Sequence, residues 1–363
     1  MYHKPLYCKA NVLTLKGVSD INRINKRIID SVIAKAERIC PDSLALIGVY
    51  GSVATGDIYK KSDLDLLILI NDDVGYRLAT GFILDDSKIG YDLYCTTLDN
   101  LKYDSECHNA HLSKLMESEI VYVKNQQAYD ELYCLREKTK SFLSSDERFA
   151  RVRELIEKAM LSFADACLYD DTGHVRINVC DVMLSLASAV MIYHGTYFKR
   201  GIKRIFDELS QFPLDSTFLD NMSKISQSKD INELRMFARE NILYVQKYTS
   251  SIYEKAALEK ENIAGTYEEM YSNWRNKVEE AAEKNDVFSS FVNMCSLQHM
   301  ISEISCEIGN VDLMKDFNHD CLVDNIKIFD TFLAEYEKIY QSCGLSVKRY
   351  SNLEEFAEDY INN

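Results

Sequence analysis

The chain has 363 residues, with 42 Lys and Arg against 57 Asp and Glu and a formal net charge of −15. At about 150 residues per domain two domains are expected, and 47% apolar with 27% charged residues excludes a disordered or collagen-like chain. Only 3 Pro and 13 Gly in this length exclude a turn-rich all-β fold and point to long helices.

Met1 to Leu15 lacks a charged-then-apolar leader, and the 11 Cys are scattered with no C-x-x-C pair. They read as reduced, mostly buried thiols of a cytoplasmic protein, not as a disulfide scaffold or a zinc module. Ser19-Asp20 followed by Ile21, Ile24, Ile28 and Val32 predicts a capped amphipathic helix ending near Cys40-Pro41. A strand from Leu44 to Tyr50 stops at Gly51-Ser52, and a second runs from Asp63 to Ile70. Extended runs follow at Tyr76–Leu84 and Gly90–Thr96, then a helix over Leu98–Ser118 and a fifth strand at Ile120–Val123. This part reads as a compact α+β unit.

Beyond about Ala128 the pattern turns to amphipathic helices: Asp146–Tyr169, Val179–Tyr193, Ile202–Gln211, Ile231–Ala257, Tyr267–Lys284, Phe288–Ile308, Leu322–Cys343 and Leu353–Ile361. The expected domains are residues 1–140, α+β, and residues 141–363, all-α. The longest apolar stretch, Val182–Tyr193, falls short of the roughly 20 residues of a membrane span, so no membrane partner is expected. Nothing in the pattern specifies an oligomeric state.

Charge divides unevenly. Residues 1–140 carry 18 basic against 20 acidic residues, net −2, and residues 141–363 carry 24 against 37, net −13. Most of that acidity reads as solvated surface. It also disfavours a nucleic-acid partner, which would be gripped by Lys- and Arg-rich faces, and it suits a cationic small molecule.

The chemistry concentrates in Gly51-Ser52, ten residues, and then Asp63-Leu64-Asp65 at the start of an apolar strand. Side chains two apart on a strand share a face, so Asp63 and Asp65 project together. Two such carboxylates repel unless a cation lies between them, and Mg²⁺, which takes hard oxygen ligands and keeps substrate phosphates in its shell, fits. Asp92 offers a third carboxylate from a neighbouring strand. Gly51 permits close backbone approach, and Ser52 supplies a hydroxyl and N–H groups for a phosphate. Lys60, Lys61 and Ser62, immediately before the carboxylates, are further phosphate candidates.

This combination resembles the nucleotidyltransferase superfamily that shares its catalytic domain with DNA polymerase beta. Gly51, Ser52, Asp63, Asp65 and Asp92 match its Gly-Ser, Asp-x-Asp and third-carboxylate positions, over roughly residues 20–125. The layout is similar to that of the aminoglycoside and lincosamide nucleotidyltransferases, enzymes of antibiotic resistance. The resemblance implies a mixed-sheet catalytic domain followed by a helical acceptor-binding domain. It implies two Mg²⁺ ions on Asp63, Asp65 and Asp92, with ATP or another NTP as co-substrate. The implied reaction moves a nucleoside monophosphate, AMP foremost, to a hydroxyl of a small acceptor and releases pyrophosphate. Transfer onto a protein or RNA partner and a non-catalytic nucleotide-binding role are the alternatives.

Asp92, or Glu157, Asp165 or Asp181 on the first bundle helices, is a candidate base for the acceptor proton. Lys199, Arg200, Lys203 and Arg204 form a dense basic cluster after Tyr197-Phe198, placed to reach a triphosphate or simply to expose a helix start. Trp274, the single Trp, reads as an anchor of the bundle rather than a ring platform. His108 and His111, without a partner pair of ligands, read as structural.

Overall fold

The computed structural model describes residues 19–252, 263–304 and 311–362. The chain divides into two compact units, residues 1–252 and 253–363. The side chains of Ser19-Asp20, Cys8 and Cys306, and the ends of the helices predicted to reach Ala257 and Ile308, lie outside the described residues.

The first unit opens with α1 (Ser19–Ile39), which buries Ile28, Val32 and Ala36 at helical spacing. Strand β1 (Leu44–Tyr50) leads into a single short helical turn, α2 (Gly51–Thr55), and β2 (Asp65–Ile70) follows. A hairpin of β3 (Thr80–Leu84) and β4 (Ile89–Leu93) forms its own antiparallel pair, and β5 (Cys95–Thr96) and β6 (Glu119–Val123) complete the strands. The main sheet has the order β5-β2-β1-β6, with β1 antiparallel to β2 and β6 and β2 parallel to β5. It is the expected mixed sheet. Because β1 and β2 are covered on both faces, their sequences are unbroken apolar runs rather than alternating ones.

Leu66, Ile68 and Ile70 of β2 pack on one face with Ile28 and Val32 of α1 and with Tyr91 and Leu93 of β4. On the other face Ala45, Leu46, Leu67 and Leu69 begin a core that continues through the helices of the first unit. These are α3 (Leu98–Ser105), α4 (Ser113–Met116), α5 (Gln126–Ser144), α6 (Arg148–Leu168), α7 (Thr172–Tyr193), α8 (Ile205–Leu209), α9 (Ser216–Gln227) and α10 (Ile231–Tyr248). Helix α7 is long and apolar enough to cross a membrane by length and composition, with mean hydropathy 1.7. Most of it is buried inside the unit, from Val175 to Ile192, where it serves as the core helix.

The second unit runs from α11 (Thr266–Met270) through a π-helical turn, Tyr271–Arg275, into α12 (Asn276–Glu283). Helices α13 (Val287–Ile304), α14 (Leu322–Ser342) and α15 (Leu353–Asn362) follow. Tyr267, Met270, Val278, Phe329, Phe332 and Tyr336 form its core, with Trp274 partly buried against them.

Several expectations change. Residues 73–78 form a 3-10 turn rather than strand, because the Asp72 carboxylate accepts the Gly75 N–H and starts it. The helix predicted over Leu98–Ser118 breaks at Cys107, whose φ of 57° is left-handed, and resumes only at Ser113. Of the described thiols, only Cys40 and Cys107 are fully buried, while Cys134, Cys167, Cys180 and Cys321 are exposed. All of these cysteines are free.

Candidate active site

Strand β1 ends where Gly51 takes a φ of 68°, a conformation that favours glycine. A Cβ built on Gly51 would lie 2.0 Å from Oδ2 of Asp65, so the turn and the carboxylate occupy adjoining space. The antiparallel register sets Tyr50 opposite Asp65, which opens β2. Asp63 lies just before the strand and Leu64 is buried, so Asp63 and Asp65 share the exposed side of the chain as the alternation requires.

The electrostatics follow from this crowding. Burial, and then the charge of Asp63, raise the pKa of Asp65, and the Ser52 backbone N–H, donating to the Asp65 carboxylate, partly offsets them. That N–H, expected to face a phosphate, is therefore already engaged. Tyr50 is pushed up to about 12 by burial first and then by Asp65, Asp63 and Asp104, so its phenol stays protonated beside the carboxylates. Asp104 is itself paired with Lys114 at 3.0 Å.

Asp92 sits on β4 between Tyr91 and Leu93, which are buried in the core on the α1 side, so it faces the side of the sheet that carries Asp65. Asp92 pairs with Gly81 in the β3–β4 hairpin, and β5, which follows β4 after Tyr94, pairs with β2 at Ile68–Cys95 and Leu69–Thr96. Its carboxylate is exposed and hydrogen-bonded to Tyr94. Among the described residues no group of three or more His, Cys, Asp or Glu stands close enough together to hold a metal ion. The structure thus sets Asp63 close enough to Asp65 for its charge to act on it, and holds Asp92 on the β3–β4 hairpin.

For Mg²⁺ the donor set of Asp63 and Asp65 fits. Both are hard oxygen ligands, the charge of Asp63 raises the pKa of Asp65, and Mg²⁺ is commonly held by one or two carboxylates with substrate phosphates filling the rest of its shell. Lys60 and Lys61 are exposed in the adjoining loop, without an ion-pair partner among the described residues. Ser62 closes that loop: its N–H donates to the Tyr59 carbonyl at 2.8 Å, and its hydroxyl accepts the Tyr59 N–H at 2.9 Å.

The basic cluster is engaged elsewhere. Lys203 and Arg204 bind Asp57, and the Lys199 and Arg200 backbone N–H groups both donate to the buried Glu208 carboxylate, each at 2.9 Å. Phe198 is buried as expected, and Tyr197 donates to Glu117. Glu157, Asp165 and Asp181 are exposed on α6 and α7. His108 lies in a turn, bonded to Glu106 and Arg151, and His111 stacks on Phe198 at 4.9 Å. Asp57 and Tyr50 are the site neighbours that sequence reasoning passed over. Tyr50 was visible as the last residue of β1, whereas Asp57 has no partner nearby in sequence.

Residues 32–160 match the model of the nucleotidyltransferase domain family, which supports nucleotidyl transfer in general. Among solved structures, a nucleotidyltransferase-like protein from Exiguobacterium sibiricum 255-15 is similar over 92% of this chain and 96% of its own, at 14% identity and a TM-score of 0.31. No curated protein matches the chain.

Proposed function

We propose that this protein transfers a nucleoside monophosphate, AMP from ATP foremost, to a hydroxyl of a small and cationic acceptor of the aminoglycoside kind, releasing pyrophosphate. The observation that carries this is the pair Asp63 and Asp65, set together at the head of β2 against the Gly51-Ser52 turn, inside the stretch that matches the nucleotidyltransferase family.

In this reading Asp63 and Asp65 would hold Mg²⁺ with the triphosphate, with Asp92 as the third ligand. Bound there, two Mg²⁺ ions would supply charge neutralisation at the α-phosphate and the leaving pyrophosphate. Lys61, Ser62 and the Ser52 hydroxyl orient the phosphates. The tight Gly51 turn leaves no room for a side chain in the space beside Asp65. Asp92, exposed on β4, would also be the base for the acceptor proton. Residues 141–363, at net −13, bind the acceptor, and that charge is why a cation is preferred over a polynucleotide.

The test is pyrophosphate release from each of the four NTPs against a panel of aminoglycosides, lincosamides and neutral sugars, with and without Mg²⁺. Release that requires Mg²⁺ and an aminoglycoside supports the reading. Release with neutral acceptors alone would overturn the acceptor class and leave the reaction type standing.

A further inference from the structure

We infer that Lys203 and Arg204 are positioning residues for the nucleotide site, acting through Asp57 to hold the loop that joins its two motifs. The inference rests on the nucleotidyltransferase reading and adds to it a role for the one dense basic cluster of residues 141–363.

Residues 56–62 run between α2 and β2 and belong to no helix or strand. Gly56 closes α2 in the left-handed conformation, φ 75°, and within the turn Tyr59–Ser62 the Ser62 N–H donates to the Tyr59 carbonyl and the Ser62 hydroxyl accepts the Tyr59 N–H. Among the described residues, the hydrogen bonds from this loop to distant parts of the chain all run through Asp57. Arg204 grips its carboxylate with a two-pronged fork, Nε to Oδ2 at 2.8 Å and Nη2 to Oδ1 at 2.6 Å. Lys203 Nζ donates to the Asp57 main-chain carbonyl at 2.9 Å and lies 3.4 Å from Oδ2. One side chain is thus fixed in orientation and its own backbone is fixed in place, which a single surface ion pair would not achieve.

The anchor for this grip is itself rigid. Residues 202–204 form a 3-10 turn leading into α8, whose Ile205 and Leu209 are buried in the core of the unit. Glu208 of the same helix is buried and accepts the Lys199 and Arg200 N–H groups, which fixes the segment immediately before the cluster. Arg204 foremost, with Lys203, holds the Asp57 carboxyl far below the usual carboxylate range, so the grip persists throughout the pH range in which an enzyme works.

The consequence is geometric. The loop presents Lys60, Lys61 and Ser62, and its two ends are the Gly51-Ser52 turn and Asp63. With the middle tied down, both motifs keep their separation before nucleotide arrives, so ordering the loop is not charged against binding.

The experiment measures Mg-ATP affinity by calorimetry and amide hydrogen exchange of residues 56–62 in the full chain, for wild type, Arg204→Ala, Arg204→Lys and Asp57→Asn. Arg204→Ala and Asp57→Asn should weaken Mg-ATP by about 10- to 100-fold and speed exchange in 56–62, with β1 and α7 protected as in wild type. Arg204→Lys, which keeps the charge and loses the fork, should fall between. Wild-type affinity in Arg204→Ala, whether exchange changes or not, overturns the positioning role. A wild type that binds no Mg-ATP overturns the nucleotide reading and this inference with it. Loss of protection across β1 and α7 would mark Arg204 as a requirement of the fold, and Arg204→Lys affinity equal to wild type would then count against the fork.

Discussion

Gly51 and Asp65 are in direct opposition: the glycine of the turn stands where any β-carbon would overlap the carboxylate oxygen, at 2.0 Å. The pairing explains why the turn must be glycine twice over, once for its φ of 68° and once for the space. Gly51→Ala should therefore cost about 1–2 kcal/mol for the left-handed backbone alone, with the overlap added to it. Nucleotidyl transfer should fall by about 100-fold, because Asp65 must turn away to make room. Thermal melting together with steady-state transfer checks this. A variant that melts lower and transfers normally would break the link between the turn and the carboxylate.

Acidification should destabilise the first unit through two histidines. Burial, reinforced by Arg148, lowers the pKa of His194, which is bonded to the Tyr248 hydroxyl at 2.8 Å and stacked on Phe212. Burial lowers that of His111 too, against an opposing pull from Glu208. A lowered histidine pKa means that the unfolded chain takes up the proton first. The stability is complete above the unfolded value of about 6.5 and is lost as the pH falls from there through the folded value. Urea midpoints measured between about pH 5 and pH 8 should show this slope, and His194→Gln should reduce it. An unchanged slope in that variant would remove His194 from the account.

Leu186 is fully buried at the middle of α7, in the core shared by the sheet and the helices of the first unit. Leu186→Ala should cost about 2–5 kcal/mol. If that core is one cooperative body, amide hydrogen exchange in β1 and in α7 should report the same loss of stability. Unequal losses in the two would show that the sheet and the helices of this unit open apart.

Strands β1 and β2 were readable because burial on both faces demands continuous apolar runs, and Asp63 and Asp65 stood out as charges at the head of such a run. The mixed sheet and the helical stretch after it agree with that reading. Asp57 was hidden because its partner, Arg204, is 147 residues away and no local pattern connects them. The break at Cys107 was hidden for another reason: Leu112 and Leu115 continue the helical spacing of apolar residues while the backbone departs from it. The first compact unit extends to residue 252 because α6, α7 and α10 complete the same core that the sheet begins, and such packing leaves no mark at a boundary in the sequence.

The central claim is that Asp63 and Asp65 carry out metal-dependent nucleotidyl transfer. Transfer of label from α-labelled ATP to an aminoglycoside, in wild type and in the Asp63→Asn, Asp65→Asn double variant, tests it most directly. The account predicts Mg²⁺-dependent labelling in the wild type and a loss of about 1,000-fold or more in the double variant, with its melting temperature equal to or above that of wild type because the repulsion at Asp65 is gone. Undiminished labelling by the folded double variant would contradict it.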